Sequence, residues 1–166
     1  MVHMLVPTPL TAEAFAPFGD VIETKGAEIL SINEGTTQRF HDLADVETGD
    51  GGHTLISIFR GQPRAQPIAI KMMENHPLGS QAFVPMTPAS YLVVVAPAGP
   101  APGLDDLLAF SAAADQGVNY RAGVWHHPLL VLKADHDFVV IDRGGAGNNL
   151  EEYRFSDAEG FALIQA

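Results

Sequence analysis

The segment Glu74-Asn-His-Pro-Leu-Gly-Ser-Gln81 carries a carboxylate, an imidazole and an amide within one short stretch. It follows an apolar run with two-residue alternation, so Glu74 and His76 point to the same face of a strand. Pro77-Leu-Gly79 then turns the chain, and Gln81 opens the return strand aimed back at the same place. A second segment, Gly117-Val-Asn-Tyr-Arg-Ala-Gly-Val-Trp-His-His-Pro-Leu-Leu130, carries two adjacent histidines. In strand geometry Val124, His126 and Pro128 share one face, and Trp125, His127 and Leu129 the other, so only one of the two imidazoles enters the interior. A single histidine on a strand is usually a structural residue. It is the combination of Glu-x-His, then Gln, then a distant Gly-x-x-His that points to a site. One carboxylate and two imidazoles, Glu74, His76 and His126, form a facial triad with open positions, a donor set that suits nickel, iron, manganese or zinc.

These groups need a scaffold that brings distant strands together. Sixteen glycines and twelve prolines punctuate the chain, and between them lie short runs rich in Val, Ile, Phe and Leu. That pattern predicts an all-β sandwich or barrel. The expected strands are Thr54–Phe59, Ile68–Glu74, Ala82–Met86, Tyr91–Ala96, Gly123–Leu132 and Asp137–Asp142, with shorter ones near Val21–Glu23, Glu28–Asn33, Gln38–Leu43 and Phe161–Gln165. Tyr91–Ala96 is apolar on both faces and predicts cover on both. Thr11 caps a short helix through Phe15. Pro102 and Asp105–Phe110 suggest another short helix. Ser156-x-x-Glu159 is a capping-box pattern, limited to one turn by Gly160. Gly144–Asn149 is a tight loop and no phosphate cradle, because it lacks the Lys-Ser/Thr ending. With 166 residues, no long linker and no internal repeat, one domain spanning 1–166 is expected.

Composition narrows the function classes. The chain has no cysteine, which excludes a disulfide scaffold and a thiolate zinc site. Nine basic against twenty acidic residues give a net charge of −11, and a phosphate backbone is repelled by such a field, so no nucleic-acid partner is expected. No run is long and apolar enough to cross a membrane, and Met1–Leu10 lacks a basic start and an apolar signal core, so a cytoplasmic protein acting on a small molecule is expected.

The two segments resemble the cupin superfamily. Glu74, His76 and Gln81 stand at the two His and the Glu places of its first motif, and Gly123 and His126 match the second, with Arg121 at the Pro place. Two of the three first-motif ligand types are therefore changed. A closer resemblance, to the ureidoglycolate lyase family (formerly named ureidoglycolate hydrolase), covers nearly the whole chain. It is carried by Phe15-x-x-Phe18-Gly-Asp-Val-Ile-Glu23, Arg39-Phe-His-Asp-Leu-Ala44, Ile56-Ser-Ile-Phe-Arg60, His76-Pro-Leu-Gly-Ser-Gln-Ala-Phe83, Gly117-Val-Asn-Tyr120, Val124-Trp-His-His-Pro128 and Ile141-Asp-Arg-Gly-Gly145. It implies a mainly β, cupin-like β-barrel (double-stranded β-helix) with a few short helices, a homodimer, and cleavage of (S)-ureidoglycolate to glyoxylate and urea in allantoin and purine catabolism. It also implies a divalent metal, with nickel favoured.

Such a reaction needs a base for the substrate hydroxyl, a proton for the leaving nitrogen and a cationic grip on the carboxylate. Glu74 or His126 is the candidate base, and His76 the candidate holder of the hydroxyl oxygen, directly or through a metal. Gln81 matches an amide-like ureido group. Arg39 and Arg60 are the candidates for the carboxylate, ahead of Arg64, Arg121 and Lys71. The competing readings are an amidohydrolase releasing ammonia and carbon dioxide, a non-catalytic cupin that binds a small acid, and a metal-dependent cupin enzyme acting on another hydroxy acid.

Overall fold

The computed structural model describes residues 2–165; Met1 and Ala166, the ends of the expected 1–166 span, lie outside them. The alternating apolar runs fold into strands β1 (Val2–Leu5), β2 (Thr8–Pro9), β3 (Gly19–Ile22), β4 (Glu28–Ile32), β5 (Thr37–His41), β6 (His53–Gly61), β7 (Ile68–Ile70), β8 (Met72–Asn75) and β9 (Gln81–Pro85). They continue as β10 (Tyr91–Ala96), β11 (Leu108–Ala112), β12 (Gly117–Tyr120), β13 (Trp125–His126), β14 (Leu130–Val131), β15 (His136–Gly144), β16 (Glu151–Arg154) and β17 (Phe161–Ile164). One short helix, α1 (Ala12–Phe15), begins at Thr11, whose hydroxyl accepts from the Ala14 N–H at 3.2 Å. The chain is mainly β, with a cupin-like barrel.

Two sheets make the barrel. One has the order β16-β8-β13-β10-β11-β2, with β14 also on β10; the other has the order β3-β12-β9-β15-β6. Their inward side chains meet in one core, with Tyr91, Val93 and Val95 from β10 facing Phe83, Val118, Phe138 and Val140. The opposite face of β10, Leu92, Val94 and Ala96, packs with Trp125 against Ile68, Ile70, Ala162 and Ile164 of a third sheet, β1-β17-β7. This third layer covers the second face of Tyr91–Ala96, as its double-sided apolar sequence requires. The β4–β5 hairpin forms a two-stranded sheet of its own.

Several elements differ from expectation. The expected helix over Asp105–Phe110 is a 3-10 turn, Leu104–Asp106, followed by β11. Ala109 and Phe110 are needed in the two different cores, and strand alternation delivers them there. Ile68–Glu74 is two strands, because the chain leaves the three-stranded sheet after β7 and enters the larger one as β8. Gly123–Leu132 breaks into β13 and β14, with Pro128 in the gap, since proline has no N–H for the ladder. The Ser156–Glu159 capping box forms, with the Ser156 N–H and hydroxyl donating to one Glu159 carboxylate oxygen at 2.8 and 2.6 Å.

Candidate active site

Glu74, His76 and His126 converge at one end of the barrel core, each with a ligand atom within 4.8 Å of those of the other two. Register explains the meeting. His126 on β13 sits directly across from Glu74 on β8 and from Val95 on β10, so the His126 ring shares the inward face of the Tyr91–Val93–Val95 row. Trp125 turns the other way into the second core. Of the two histidines, His126 therefore enters the site, while His127 Nδ1 faces the Pro128 carbonyl at 2.8 Å.

His76 follows β8 and is gripped from two sides. Its Nδ1 lies 2.7 Å from the carbonyl oxygen of Asn149, and its Nε2 lies 3.1 Å from Gln81 Oε1. The Gln81 amide is oriented by its other end, where Nε2 donates to Asp142 Oδ2 at 3.2 Å. Gln81 on β9 and Asp142 on β15 belong to neighbouring strands whose register pairs Ala82 with Ile141. A ring that donates from Nδ1 presents a lone pair at Nε2, and the atom facing it is also an acceptor. That contact is satisfied by a second proton on the ring or by a cation that both lone pairs face. The turn that carries Gln81 back is set by Gly79. A Cβ there would lie 2.8 Å from the Glu47 carbonyl oxygen and 2.7 Å from the Arg143 Cβ. Arg143 in turn donates to the carbonyls of Thr48 and Ala146 at 2.7 and 2.9 Å, pinning the loop that presents Asn149.

Burial tunes the two ends of the site in opposite directions. It pushes the Glu74 carboxyl above the ordinary carboxylate range; His76 nearby opposes the shift and Glu152 adds to it. Burial, assisted by His76, pushes the His126 imidazole down to about 3. The 3.9 Å contact between His126 Nδ1 and Glu74 Oε1 is therefore a neutral ring beside a carboxylate, and no ion pair at neutral pH. The His126 ring stacks on Tyr120 with centroids 4.2 Å apart and planes 3° from parallel. His126 Nε2 is buried with no hydrogen-bond partner among the described residues. A neutral imidazole with an unused lone pair, a second imidazole and a carboxylate form a set that suits a divalent ion, so these three residues could hold one.

The site opens into a recess of about 370 Å³ walled by Phe59, Phe83, Pro128 and Leu129, with Glu74 and Gln81 on its lining. Arg60 lines the same recess, but its Nε and Nη2 both donate to the Asp137 carboxylate, at 2.8 and 2.9 Å. Arg39 is set apart on the exposed β4–β5 hairpin. The structure thus brings Glu74, His76, Gln81 and His126 together, places Arg60 at the edge with its donors engaged, and leaves Arg39 outside. Sequence reasoning missed three residues that touch this cluster: Asp142, Asn149 and Tyr120. Asp142 stands in the quoted string Ile141-Asp-Arg-Gly-Gly145, and its inward parity with Phe138 and Val140 was the available signal. Asn149 acts through a backbone carbonyl, which no side-chain pattern announces.

A sequence model of the family described as ureidoglycolate lyase matches residues 2–161. A protein named ureidoglycolate lyase from Burkholderia mallei (strain NCTC 10229) is 57% identical over 153 residues, covering 90% of this chain and 88% of the relative. One of the same name from Brucella ovis is 57% identical over 158 residues, covering 94% and 92%. Another from Pseudomonas syringae pv. syringae is 51% identical over 156 residues, covering 93% and 92%. Matched along nearly its whole length at this identity, the chain belongs to the ureidoglycolate lyase family.

Proposed function

We propose that this chain is a ureidoglycolate lyase that cleaves (S)-ureidoglycolate to glyoxylate and urea, with Glu74, His76 and His126 as its catalytic residues. The observation that carries the reading is the convergence of these three residues with Gln81 at the barrel end, in a chain of this family. The substrate carbon bears a hydroxyl, a carboxylate and a ureido nitrogen. Glu74 takes the hydroxyl proton, the carbon–oxygen double bond forms, the carbon–nitrogen bond breaks, and its electron pair leaves on urea nitrogen. The protonated Glu74 carboxyl then gives the proton to that nitrogen, so the balance closes on one residue. Burial suits Glu74 to this work, because a carboxyl raised toward neutrality both accepts and returns a proton. His126, pushed down to about 3, is a poor base and serves instead as a neutral ligand or acceptor. Gln81 donates from Nε2 to Asp142, so its oxygen, which faces His76 Nε2, is presented with a second lone pair to accept from the ureido N–H.

Glu74, His76 and His126 are also the residues that would hold a divalent ion, and the family resemblance favours nickel. Such an ion, when bound, supplies Lewis-acid polarisation of a substrate oxygen. Glu74 has two carboxylate oxygens, so one could hold such an ion while the other takes the proton. No helix among the described residues is long and apolar enough to cross a membrane. The same reading makes the chain a homodimeric cytoplasmic enzyme of allantoin degradation.

Freshly prepared ureidoglycolate is mixed with metal-analysed protein, and urea and ammonia are measured separately beside an enzyme-free control. Urea formed one-to-one with glyoxylate, lost on chelation and restored by Ni2+, is the expected outcome. Ammonia in place of urea would make the chain an amidohydrolase and overturn the assignment.

A further inference from the structure

We propose that two copies of this chain exchange their β4–β5 hairpins, each hairpin closing the recess of the other copy and delivering Arg39 to the substrate's carboxylate. The proposal rests on the lyase reading for the identity of that carboxylate alone; the exchange of hairpins stands on the surfaces themselves.

The recess lacks a free cation of its own. Its lining presents Glu74 and, behind Gln81, Asp142, while Arg60 has its charge paired with Asp137 through Nε and Nη2. A carboxylate entering such a site meets negative charge unless a cation is brought in. Arg39 is an unengaged guanidinium, with no hydrogen bond or ion pair among the described residues. In the hairpin register Arg39 lies across from Leu30, with Ile32 and Thr37 toward the tip of the same face and Glu28 and His41 at its base, so the cation sits beside two apolar side chains. The other face carries Ile29, 52% exposed, and Phe40. A two-stranded hairpin with no further strand among the described residues is marginal in water, and this one carries apolar side chains among the polar ones on both faces.

The complementary surface is β6. It is a nine-residue edge strand paired on one side only, with β15. Leu55 and Phe59 on its inward face are 40% and 38% exposed, Phe59 at the recess, and Ile56 and Ile58 on its outer face are 75% and 62% exposed. A long apolar edge of this kind needs cover. The chain's own hairpin cannot give it. Glu28 and His41 at the hairpin base share a recess with Val21 and Glu23, which places the base beside β3. β3 and β6 are opposite edges of the same five-stranded sheet, four spacings of about 4.8 Å or roughly 19 Å apart. A second copy related by a two-fold axis supplies the cover twice in one act, hiding both edge strands and giving each acidic recess a guanidinium.

The test uses a heterodimer of an Arg39→Ala chain and a Glu74→Gln chain, co-expressed with different tags and purified through both. Each variant alone is expected to be nearly inactive. If Arg39 acts across the dimer, the heterodimer holds one site with both residues intact and shows about half of wild-type turnover. An inactive heterodimer from a dimeric, active wild type would mean that Arg39 acts within its own chain, and an Arg39→Ala chain that is active alone would mean that it has no role; either would overturn the proposal. A readout independent of activity comes from the absence of cysteine. Thr37→Cys combined with Leu55→Cys, treated with a short bismaleimide, is expected to give a covalent dimer. Cross-linked monomer alone, or dimers joined through β6 to β6, would equally overturn it. Covalent dimers of the cysteine variant, beside a wild-type protein that makes no urea, would remove the lyase reading and leave the hairpin exchange standing.

Discussion

Asp142→Ala isolates the orientation of one amide. In the wild type, Asp142 Oδ2 accepts from Gln81 Nε2 at 3.2 Å, which turns Gln81 Oε1 to within 3.1 Å of His76 Nε2. Without an acceptor at position 142 the amide is free to rotate half a turn and donate to the His76 lone pair. The site then loses the acceptor for the ureido N–H. A hydrogen bond to a charged group contributes about 1.5–3 kcal/mol. Asp142 is only half-buried, so the lower part of that range applies, and about 1.5–2 kcal/mol corresponds to a loss in kcat/KM of about 10–30-fold. Asp142→Asn is the discriminating control: it keeps a carbonyl oxygen that accepts from Gln81, so it is expected to retain most of the activity. Urea and glyoxylate are followed over time for both variants, with thermal melting to show that each is folded. Wild-type turnover in Asp142→Ala would refute the argument. So would equal damage in the two variants, because charge at 142, and not its accepting geometry, would then be what matters.

Glu74→Gln is expected to lower turnover by about 10²–10⁴-fold, the usual worth of a positioned proton-transfer group, while the fold persists; near-normal urea formation would remove Glu74 from the role of base. Phe138→Ala removes a ring with no solvent exposure that stacks among Tyr91, Phe83 and His136, and is expected to cost about 3–5 kcal/mol in a guanidinium chloride titration. The pH dependence of stability follows from two buried histidines. Burial lowers His126 to about 3 and His127 to about 4, whereas both titrate near 6.5 when unfolded. The unfolded chain therefore binds protons that the folded chain refuses as pH falls below 6.5. The stability is whole above that value and declines toward pH 4 and 3. At pH 5 the loss is roughly 2 kcal/mol per histidine. Guanidinium midpoints at pH 7.5 and 5 check this, and a His127→Gln variant should show a shallower decline; equal midpoints at both pH values would contradict it.

What the sequence discloses about this site depends on how each residue reaches it. Glu74 and His76 are two apart on one strand, and Gln81 follows across a single turn, so local geometry brings three of the four groups together before any tertiary structure is known. His126 joins them because β13 lies between β8 and β10, a pairing of strands distant in sequence; parity shows which histidine faces inward but not what it meets. The strand Tyr91–Ala96 was legible to the residue, because its apolar character on both faces is intrinsic to it. The strand Leu108–Ala112 was not, because Asp105 and Asp106 suggest a helix start and only the neighbouring edge of β10 makes a strand the better use of Ala109 and Phe110. Arg60 shows the same limit in a charged residue. Its type suits a carboxylate, and nothing local reveals that Asp137, its cross-strand partner, already occupies it. Arg39 extends the limit beyond the single chain. It lies on a hairpin that pairs with no further strand among the described residues, and the role proposed for it needs the surface of a second copy, which no pattern local to one chain displays.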